Sequence, residues 1–257
     1  MNQHYQEIYD FWEKRAASDR EGKLVTHRDK HQVFMEIDAI RHLLMPGDRL
    51  LDIGCGNGFS TSIYAEVCAA VKGIDYSEEM IQTARNVHQK ANLSFDRQDV
   101  LDLHEKEGGW DVVSCTRCLI NLTSWEQQQV ALHEMSRILV PGGRLIFAEG
   151  IADGRDKLNE LRVSAGLNPM PPVWHNLDFA ETKLHEFLQP QFDLVQEVRF
   201  GVYDVLTRVV YPSSILPAEP QYGTPFHDLA KRLYYSMSSS ALKEYSRMAI
   251  FVFVKKA

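Results

Sequence analysis

The sequence RLLDIGCGNGFS at residues 49–60 contains the features that decide the fold of this chain. Residues 50–53 are mainly apolar, which is typical of a buried strand. Glycines then alternate across 54–58, where they permit backbone conformations and close approaches that side chains would block. A helix can begin at Phe59, so the loop would present free backbone N–H groups and the positive end of a helix dipole. The segment therefore predicts a strand followed by a loop that binds an oxygen-rich, nucleotide-like ligand.

The glycine spacing distinguishes between two kinds of nucleotide ligand. Dinucleotide-binding loops read G-x-G-x-x-G, whereas here the third glycine comes one position early, at Gly58, and Phe59 takes the place of the last glycine. Asp75 closes a second apolar stretch, VKGID, where its carboxylate could accept hydrogen bonds from both hydroxyls of a ribose. These features favour a nucleoside ligand other than a nicotinamide dinucleotide.

From the glycine motif to about residue 150, the sequence resembles the class I S-adenosylmethionine-dependent methyltransferases. Their motif, commonly (V/L)LDxGCGxG, is matched by LLDIGCGNG at 50–58, and a PGG turn precedes an apolar strand within 139–150. The resemblance implies S-adenosyl-L-methionine as methyl donor and S-adenosyl-L-homocysteine as product. It also implies an α/β fold, a doubly wound, mostly parallel seven-stranded sheet with helices on both faces. The last strand would be antiparallel and inserted between the fifth and sixth.

The amino-acid composition and net charge limit the kinds of partner and substrate that are expected for this chain. Hydrophobic residues make up 44% of the chain and charged residues 25%, and no apolar run approaches the roughly 18 residues that span a membrane. The start lacks a signal-peptide core, and the four cysteines show no disulfide framework spacing, so we expect a cytoplasmic protein. A net charge of -7 argues against a nucleic-acid backbone and favours a small-molecule substrate. A homodimer remains compatible with these features.

The chain is expected to form a single methyltransferase domain over 1–257. Residues 1–45 would be a helical segment over the cofactor, and 46–150 the cofactor-binding core. The substrate side would occupy 151–257. Within it, the excursion of roughly 45 residues between the last two strands is too long for a hairpin loop, so a cap insertion is expected at about 203–245.

Apolar runs and turn residues place the elements along the chain. The sequence predicts helices at 33–44, 61–70, 123–139, with Thr123 as the cap, and 181–188. It predicts strands at 50–53, 70–75, 93–97, 110–115, 144–149, 192–199 and 247–254.

The resemblance assigns roles to individual residues around the cofactor. Asp99 would accept from the adenine amino group, and the backbone N–H of Val100 would bind a ring nitrogen. The N-terminal segment would bring Trp12 or Arg28 to the methionine end, where Arg28 can grip the carboxylate; equally, the run HRDKH at 27–31 can be a solvated face. The full set of cofactor candidates is Trp12, Arg28, Asp52, Gly54, Cys55, Gly56, Asn57, Asp75, Tyr76, Met80, Asp99, Val100 and Cys115.

Residues beyond the fourth strand are candidates for shaping the acceptor site. The run CTRCLINL at 115–122 would face the transferred methyl group. Its C-x-x-C pair resembles half of a zinc site, but no second pair or paired histidines complete four ligands, so no metal is expected. The substrate candidates are Arg117, Asn121, Trp174, Asn176, Tyr203 and Arg208, together with Tyr211, Tyr222 and His227 from the cap, each of which can also simply pack.

One histidine is a candidate general base. His175 lies in the proline-rich stretch 166–179, which predicts an ordered loop over the cleft. A histidine with its ordinary pKa near 6.5 can accept a hydroxyl proton near neutrality. A histidine that only packs or caps is the alternative.

The sequence favours a small-molecule methyltransferase, most plausibly one that acts on an oxygen of a sugar-like or other polar biosynthetic metabolite. The alternatives are methylation of nitrogen on a small molecule, protein or nucleic acid, and a non-catalytic subunit that binds the cofactor and activates a partner. The chain lacks the Asn/Asp-Pro-Pro-Tyr/Phe run found in many amino methylases, and it has no basic tract. A nicotinamide oxidoreductase is disfavoured by the glycine spacing.

Overall fold

One seven-stranded sheet organises the chain in the computed structural model, which describes residues 3–17, 28–238 and 240–257. In chain order, the strands are β1 Arg49–Ile53, β2 Ala70–Asp75, β3 Leu93–Arg97, β4 Trp110–Thr116, β5 Leu139–Gly150, β6 Phe192–Arg199 and β7 Met248–Lys255.

Ten α-helices surround this sheet in the described part of the chain. They are α1 Gln3–Ala17, α2 Lys30–Leu43, α3 Phe59–Tyr64, α4 Glu78–Val87, α5 Trp125–Ile138, α6 Ala152–Ser164, α7 Glu181–Leu188, α8 Gly201–Val205, α9 Tyr211–Ile215 and α10 Pro225–Ser236. A π-helical segment, Leu206–Val210, joins α8 to α9, and short 3-10 turns occur at Leu119–Asn121 and Lys243–Tyr245.

The strand order is β3-β2-β1-β4-β5-β7-β6, and the last strand lies between the fifth and sixth, as the resemblance implies. Strand β1 is parallel to its neighbours β2 and β4, and Ile53 pairs with Ile74 on one side and Cys115 on the other. Strand β7 runs antiparallel between β5 and β6. The chain reverses its direction of winding at β1, so the glycine loop after β1 leaves the sheet at the switch point, where open α/β sheets bind ligands.

Apolar side chains from the sheet enter two separate cores. In β5, Leu145 and Phe147 belong to one core with residues of α5 and α7, while Ile146 and Ala148 belong to the other with residues of α2, α8 and α10. This alternation follows from the two-residue period of a strand. Because both faces are covered, the predicted doubly wound arrangement is confirmed.

Several predicted element boundaries differ from the structure: strand β5, predicted at 144–149, begins at Leu139, and two helices differ as well. The helix predicted at 61–70 is the shorter α3, after which the chain continues through turns to β2. Helix α5 is capped by Ser124, whose hydroxyl accepts from the Gln127 N–H at 3.3 Å. Thr123 instead donates its N–H and hydroxyl to the Gln127 side chain, both at 2.9 Å, so the predicted cap was one residue early.

The second half of the chain is more helical than its sequence indicates. Helix α6 was not predicted because its sequence is largely polar, and only Gly154 and Leu158 are buried. The π-helical segment and helices α8 to α10 fill the excursion between β6 and β7. In the ranges that the structure describes, no helix combines the length and apolar character needed to cross a membrane.

Candidate functional site

The glycine loop adopts backbone conformations that other residues avoid. Gly54, Gly56 and Gly58 have φ angles of +71°, +53° and +78°. A Cβ atom at Gly54 would lie 2.5 Å from Cβ of Cys118, and one at Gly58 would lie 2.7 Å from the Phe95 ring. At Gly56, the nearest neighbour of such an atom would be the Met80 sulfur at 4.0 Å. Glycine is therefore required for close packing at both ends of the loop, whereas its middle is open.

Asp75, at the end of β2, connects this loop to the next one. Its Oδ2 accepts from the Gly56 N–H at 2.9 Å, and its Oδ1 accepts from the Ser77 N–H at 2.9 Å. The residue is 9% exposed, and burial raises the pKa of its carboxyl to about 6. The carboxylate therefore fixes two loops while it faces a cavity.

Asp52, near the end of β1, is a second buried acid on the same cavity. Its carboxylate accepts from the hydroxyls of Thr61 and Ser114, each at 2.6 Å. Burial raises its pKa to about 6. Because both oxygens are engaged, Asp52 anchors α3 and β4 to the base of the glycine loop.

A cavity of about 650 Å³ extends from the glycine loop to the C-terminal half of the chain. Its size is that of a small-molecule site. The cofactor candidates on it are Trp12, Arg28, Asp52, Gly54, Cys55, Gly56, Asn57, Asp75, Tyr76 and Met80. The acceptor candidates on it are Arg117, Asn121, His175, Asn176, Arg208 and Tyr222.

A smaller cavity of about 30 Å³ adjoins the first one beside Asp75 and contains Asp99 and Val100 in its lining. Asp99 accepts from the Leu101 N–H at 2.9 Å and from the Tyr5 hydroxyl at 3.2 Å. The N-terminal helix therefore covers this end of the site and reaches one of the predicted cofactor residues.

Helix α1 also covers the larger cavity. The indole N–H of Trp12 donates to Oδ1 of Asn121 at 3.3 Å, and the Asn121 amide donates to the Arg117 carbonyl at 2.8 Å. The Phe11 ring lies 4.8 Å from the His175 ring, measured between centroids. These contacts connect the N-terminal helix to the loop after β4 and to the proline-rich loop.

Arg117 combines an unusual backbone with a buried ion pair. Its φ of +53° lies in the left-handed region, which non-glycine residues rarely occupy and which often marks functional sites. Its guanidinium grips Glu36 on α2 through two hydrogen bonds of 2.6 and 3.1 Å. Glu36 is 1% exposed, so the pair fixes α2 against the loop after β4. The sequence pointed to Arg117 but not to its partner.

Glu149, at the end of β5, holds the same loop from the other side. Its Oε1 accepts from the N–H groups of Cys118 and Leu119 at 2.9 and 2.8 Å, and from the Cys115 thiol at 3.3 Å. The residue is fully buried, and burial raises its pKa to about 7. Glu149 was not predicted from the sequence, although an acid that ends an apolar strand is the same signal that identified Asp75.

Glu149 should make the stability of the fold depend on pH. Because its folded pKa is raised above the ordinary value of 4.5, the folded state binds the extra proton between about pH 4.5 and 7. The free energy of unfolding should therefore fall as pH rises through this window. Glu149→Gln should remove roughly 1 to 3 kcal/mol of that fall. Urea unfolding of the parent and the variant at pH 5 and pH 8 measures this difference in the free energy of unfolding. An equal difference in both proteins would contradict the role of Glu149.

Three predicted site residues do not line either cavity. Cys115 is fully buried, and because strand side chains alternate, its thiol lies in the core beside Glu149. Tyr203 is fully buried as well, and its hydroxyl donates to Asp29 at 2.8 Å. Trp174 is 54% exposed and packs against aromatic rings of α1. The contact roles predicted for these three residues are therefore wrong.

Two further cap candidates pack rather than face the cavity. The Tyr211 ring stacks on Phe226 with centroids 5.1 Å apart. His227 is 1% exposed, and its Nδ1 lies 2.9 Å from the Thr224 hydroxyl oxygen. Both side chains stabilise the cap.

The structure adds polar residues that the sequence did not indicate. Arg155 on α6, Asp178 in the proline-rich loop and Arg247 just before β7 all line the larger cavity. No local pattern distinguishes Arg155, Asp178 and Arg247 from surface charges, because only the tertiary fold brings them together. Thr116, which belongs to the run at 115–122 that the sequence placed beside the methyl group, also lines the cavity, and its buried hydroxyl oxygen has no hydrogen-bond partner in the described ranges.

Comparisons with known proteins agree with this geometry. Residues 50–143 match the protein family described as "Methyltransferase domain". A ubiquinone biosynthesis O-methyltransferase from Coxiella burnetii is 28% identical over 110 residues, 42% of this chain and 46% of that protein. An arsenite methyltransferase from Aquipseudomonas alcaligenes is 32% identical over 197 residues, 67% of this chain and 55% of that protein. The chain thus spans about half the length of these curated relatives.

A solved structure extends the likeness to nearly the whole chain. Magnesium protoporphyrin IX methyltransferase from Synechocystis, which was crystallised with bound S-adenosylhomocysteine, superposes with a TM-score of 0.63. The match covers 98% of this chain and 99% of that one at 17% identity, so it shows the fold alone. The resemblance drawn from the glycine motif and the predicted fold are both confirmed.

Proposed function

Since the chain carries the core of a class I S-adenosylmethionine-dependent methyltransferase, we propose that it transfers a methyl group from S-adenosylmethionine to an oxygen of a small polar metabolite. One observation carries the proposal: a single cavity connects the glycine loop and Asp75 with a polar lining from the C-terminal half. A donor and an acceptor can therefore meet inside one cavity. The name of the Coxiella relative, an O-methyltransferase, supports oxygen as the acceptor atom.

The residues at the glycine loop fit this cofactor. The loop leaves open space at Gly56, and Asp75 presents a carboxylate to the cavity, as a ribose would require. Asp99 and Val100 line the adjoining small cavity and are proposed to contact the adenine. Arg28 lies on the larger cavity and would grip the methionine carboxylate. In this arrangement, residues 1–257 act as one domain, with 46–150 for the cofactor and 151–257 for the acceptor.

The protein's task in such a transfer is alignment, exclusion of water and, for a hydroxyl, removal of a proton. When bound, S-adenosylmethionine supplies a methyl group that a sulfonium has already activated. We assign this proton removal to His175; two observations support the role, since its ring lines the cavity and its Nδ1 is buried without a partner in the part of the chain that the structure describes. Burial and the nearby Arg15 lower its pKa below 6.5, so the imidazole is neutral at physiological pH.

Replacing His175 with alanine should lower turnover by roughly 100-fold or more, the usual contribution of a general base. Binding of S-adenosylhomocysteine should change little, because the loss lies in the reaction step. Rates measured from pH 6 to 9 check the assignment, with His133→Ala, an exposed histidine on α5, as the matched control. Equal activity of the variant and the parent across this range would refute the role of base.

The function itself is tested by release of S-adenosylhomocysteine in the presence of a panel of small hydroxyl, amine and carboxylate acceptors. Turnover with a hydroxyl acceptor is the expected result. Turnover with amines alone would replace the oxygen assignment by nitrogen. Cofactor binding without turnover on any acceptor would favour a non-catalytic partner subunit.

A further inference from the structure

Three arginines meet at the end of the larger cavity that lies in the C-terminal half of the chain. Arg155 comes from α6, Arg208 from the π-helical segment and Arg247 from the residue before β7, and all three line the cavity. Arg162, also on α6, donates to the Arg208 carbonyl. Separate elements therefore bring four guanidinium groups into one region.

Each of the three cavity arginines is paired with a carboxylate. The pairs are Arg155 with Asp178, Arg208 with Asp29 at 2.5 Å, and Arg247 with Asp204 at 3.0 Å. Asp29 and Asp204 are fully buried, so these two pairs are rigid supports. An arginine fixed in this way presents its remaining N–H groups in a defined direction.

Hydrogen-bond donors remain unused in this cluster. A guanidinium carries five N–H bonds, yet Arg247 donates only to Asp204 and to Oε1 of Gln32 among the described residues. Arg208 approaches the same Gln32 oxygen, at 3.4 Å. The Gln32 side-chain NH₂ is buried and has no acceptor in the described ranges. A ligand with several acceptor oxygens would satisfy these donors.

The cluster has an excess of positive charge. The cluster contains four guanidiniums but only three buried or half-buried carboxylates. Arg162 is the arginine that has no carboxylate partner in the ranges that the structure describes. Asp156 also approaches Arg155, at 3.4 Å, but its side chain is 68% exposed, so water screens its charge. Burial, followed by the proximity of Arg208 and Arg247, lowers the pKa of Arg162. The excess of one charge matches a monoanion.

The surroundings of the cluster favour a ligand with an apolar body. The Arg208 guanidinium lies over the Tyr222 ring, 5.2 Å from its centroid. Met170, Pro171 and Met248 line the same end of the cavity. The π-helical turn that carries Arg208 is a rare conformation that occurs often at functional sites.

We propose that the methyl acceptor carries a carboxylate, which Arg208 and Arg247 bind while its less polar part lies against Tyr222 and Met170. This inference rests on the proposed function, since it names the acceptor class of the same site. The acidic group orients the acceptor and is not the methylated atom. Arg155 completes the anion site from the α6 side.

The test compares two probes that differ in charge but little in shape, sodium benzoate and benzamide. Their binding to the chain loaded with S-adenosylhomocysteine is measured by ligand-observed NMR at constant ionic strength. Benzoate should bind at least about tenfold more tightly, because only the anion forms ion pairs in which both oxygens accept from guanidinium N–H groups. Equal binding of the two probes would overturn the proposal.

A double substitution tests whether the Arg247 guanidinium causes the preference for benzoate. Asp204→Asn with Arg247→Gln removes the guanidinium and leaves the local net charge unchanged, so no buried carboxylate is left without its partner. The preference for benzoate should disappear in this double variant, and a retained preference would overturn the proposal. Arg49→Gln with Asp111→Asn, which removes a bidentate pair at the start of β1, outside the cavity, is the matched control and should change nothing.

Two further measurements distinguish a failure of this proposal from a variant that does not fold and from a failure of the proposed function. If the double variant does not fold, the pair Arg155→Gln with Asp178→Asn tests the same cluster. The titrations are also made without S-adenosylhomocysteine. A chain that fails to bind this cofactor product would refute the proposed function, while its preference for benzoate over benzamide would still decide whether the arginine cluster binds a carboxylate.

Discussion

Replacing Gly54 with alanine is expected to lower the free energy of unfolding by about 2 to 5 kcal/mol and to remove S-adenosylmethionine binding. Two costs add at this position. The φ of +71° is left-handed, and the new methyl group would lie 2.5 Å from Cβ and 2.7 Å from Sγ of Cys118. The loop must therefore move away from Cys118, which disturbs the hydrogen bond that the Gly54 N–H now donates to the Ile74 carbonyl at 2.9 Å. Urea unfolding and cofactor titration measure the two effects.

A second substitution separates the two costs. In the double variant Gly54→Ala with Cys118→Gly, the steric conflict is gone and only the left-handed strain remains, so about 1 to 2 kcal/mol should still be lost relative to Cys118→Gly alone. Gly47→Ala is the matched control, because no atom lies within 4 Å of the added methyl group. A Gly54→Ala protein as stable as the Gly47→Ala protein would show that the loop is not constrained as described.

Replacing Asp75 with alanine should weaken S-adenosylmethionine binding by about 1 to 3 kcal/mol, the range for losing charge-assisted hydrogen bonds. The carboxylate is proposed to bind the ribose, and it also positions the Gly56 and Ser77 N–H groups. Because burial raises its pKa to about 6, affinity in the parent should fall as the pH is lowered through 6, where the carboxylate becomes protonated. The variant should lose this pH dependence.

Calorimetric titration at pH 5 and pH 8 measures both parts of the Asp75 prediction. Asp193→Ala, on β6, is a suitable control, since that side chain is 67% exposed and lies outside the cavity lining. An affinity for S-adenosylmethionine that is unchanged in Asp75→Ala would remove the ribose assignment.

Local sequence patterns predicted the sheet because each strand carries its own signal. The apolar run before the glycine loop, the acid that closes β2 and the PGG turn within β5 are all continuous in sequence. The same patterns placed Asp75, Gly56 and Asp99 beside the cavities. Buried strands are specified by the residues within them, so single-sequence reasoning reaches them.

The acceptor half could not be predicted in the same way, because distant segments form it. Arg247 is a single charged residue before a strand, and Arg155 is one of several charged residues on a polar helix. Neither lies in a sequence pattern that would identify it as a site residue. Trp174 and His175 are adjacent, yet only the histidine lines the larger cavity. The phenol of Tyr203 could bind a polar substrate, but the fold buries this side chain, and its hydroxyl donates to Asp29 instead. Side-chain direction at these positions depends on packing across the chain.

The most direct test of the central claim is a calorimetric titration of the intact chain with S-adenosylmethionine, S-adenosylhomocysteine and NAD. We predict saturable binding of one S-adenosylmethionine or S-adenosylhomocysteine per chain and no binding of NAD. Binding of NAD in place of S-adenosylmethionine, or no binding of any of the three, would contradict the assignment of the glycine loop and the function built on it.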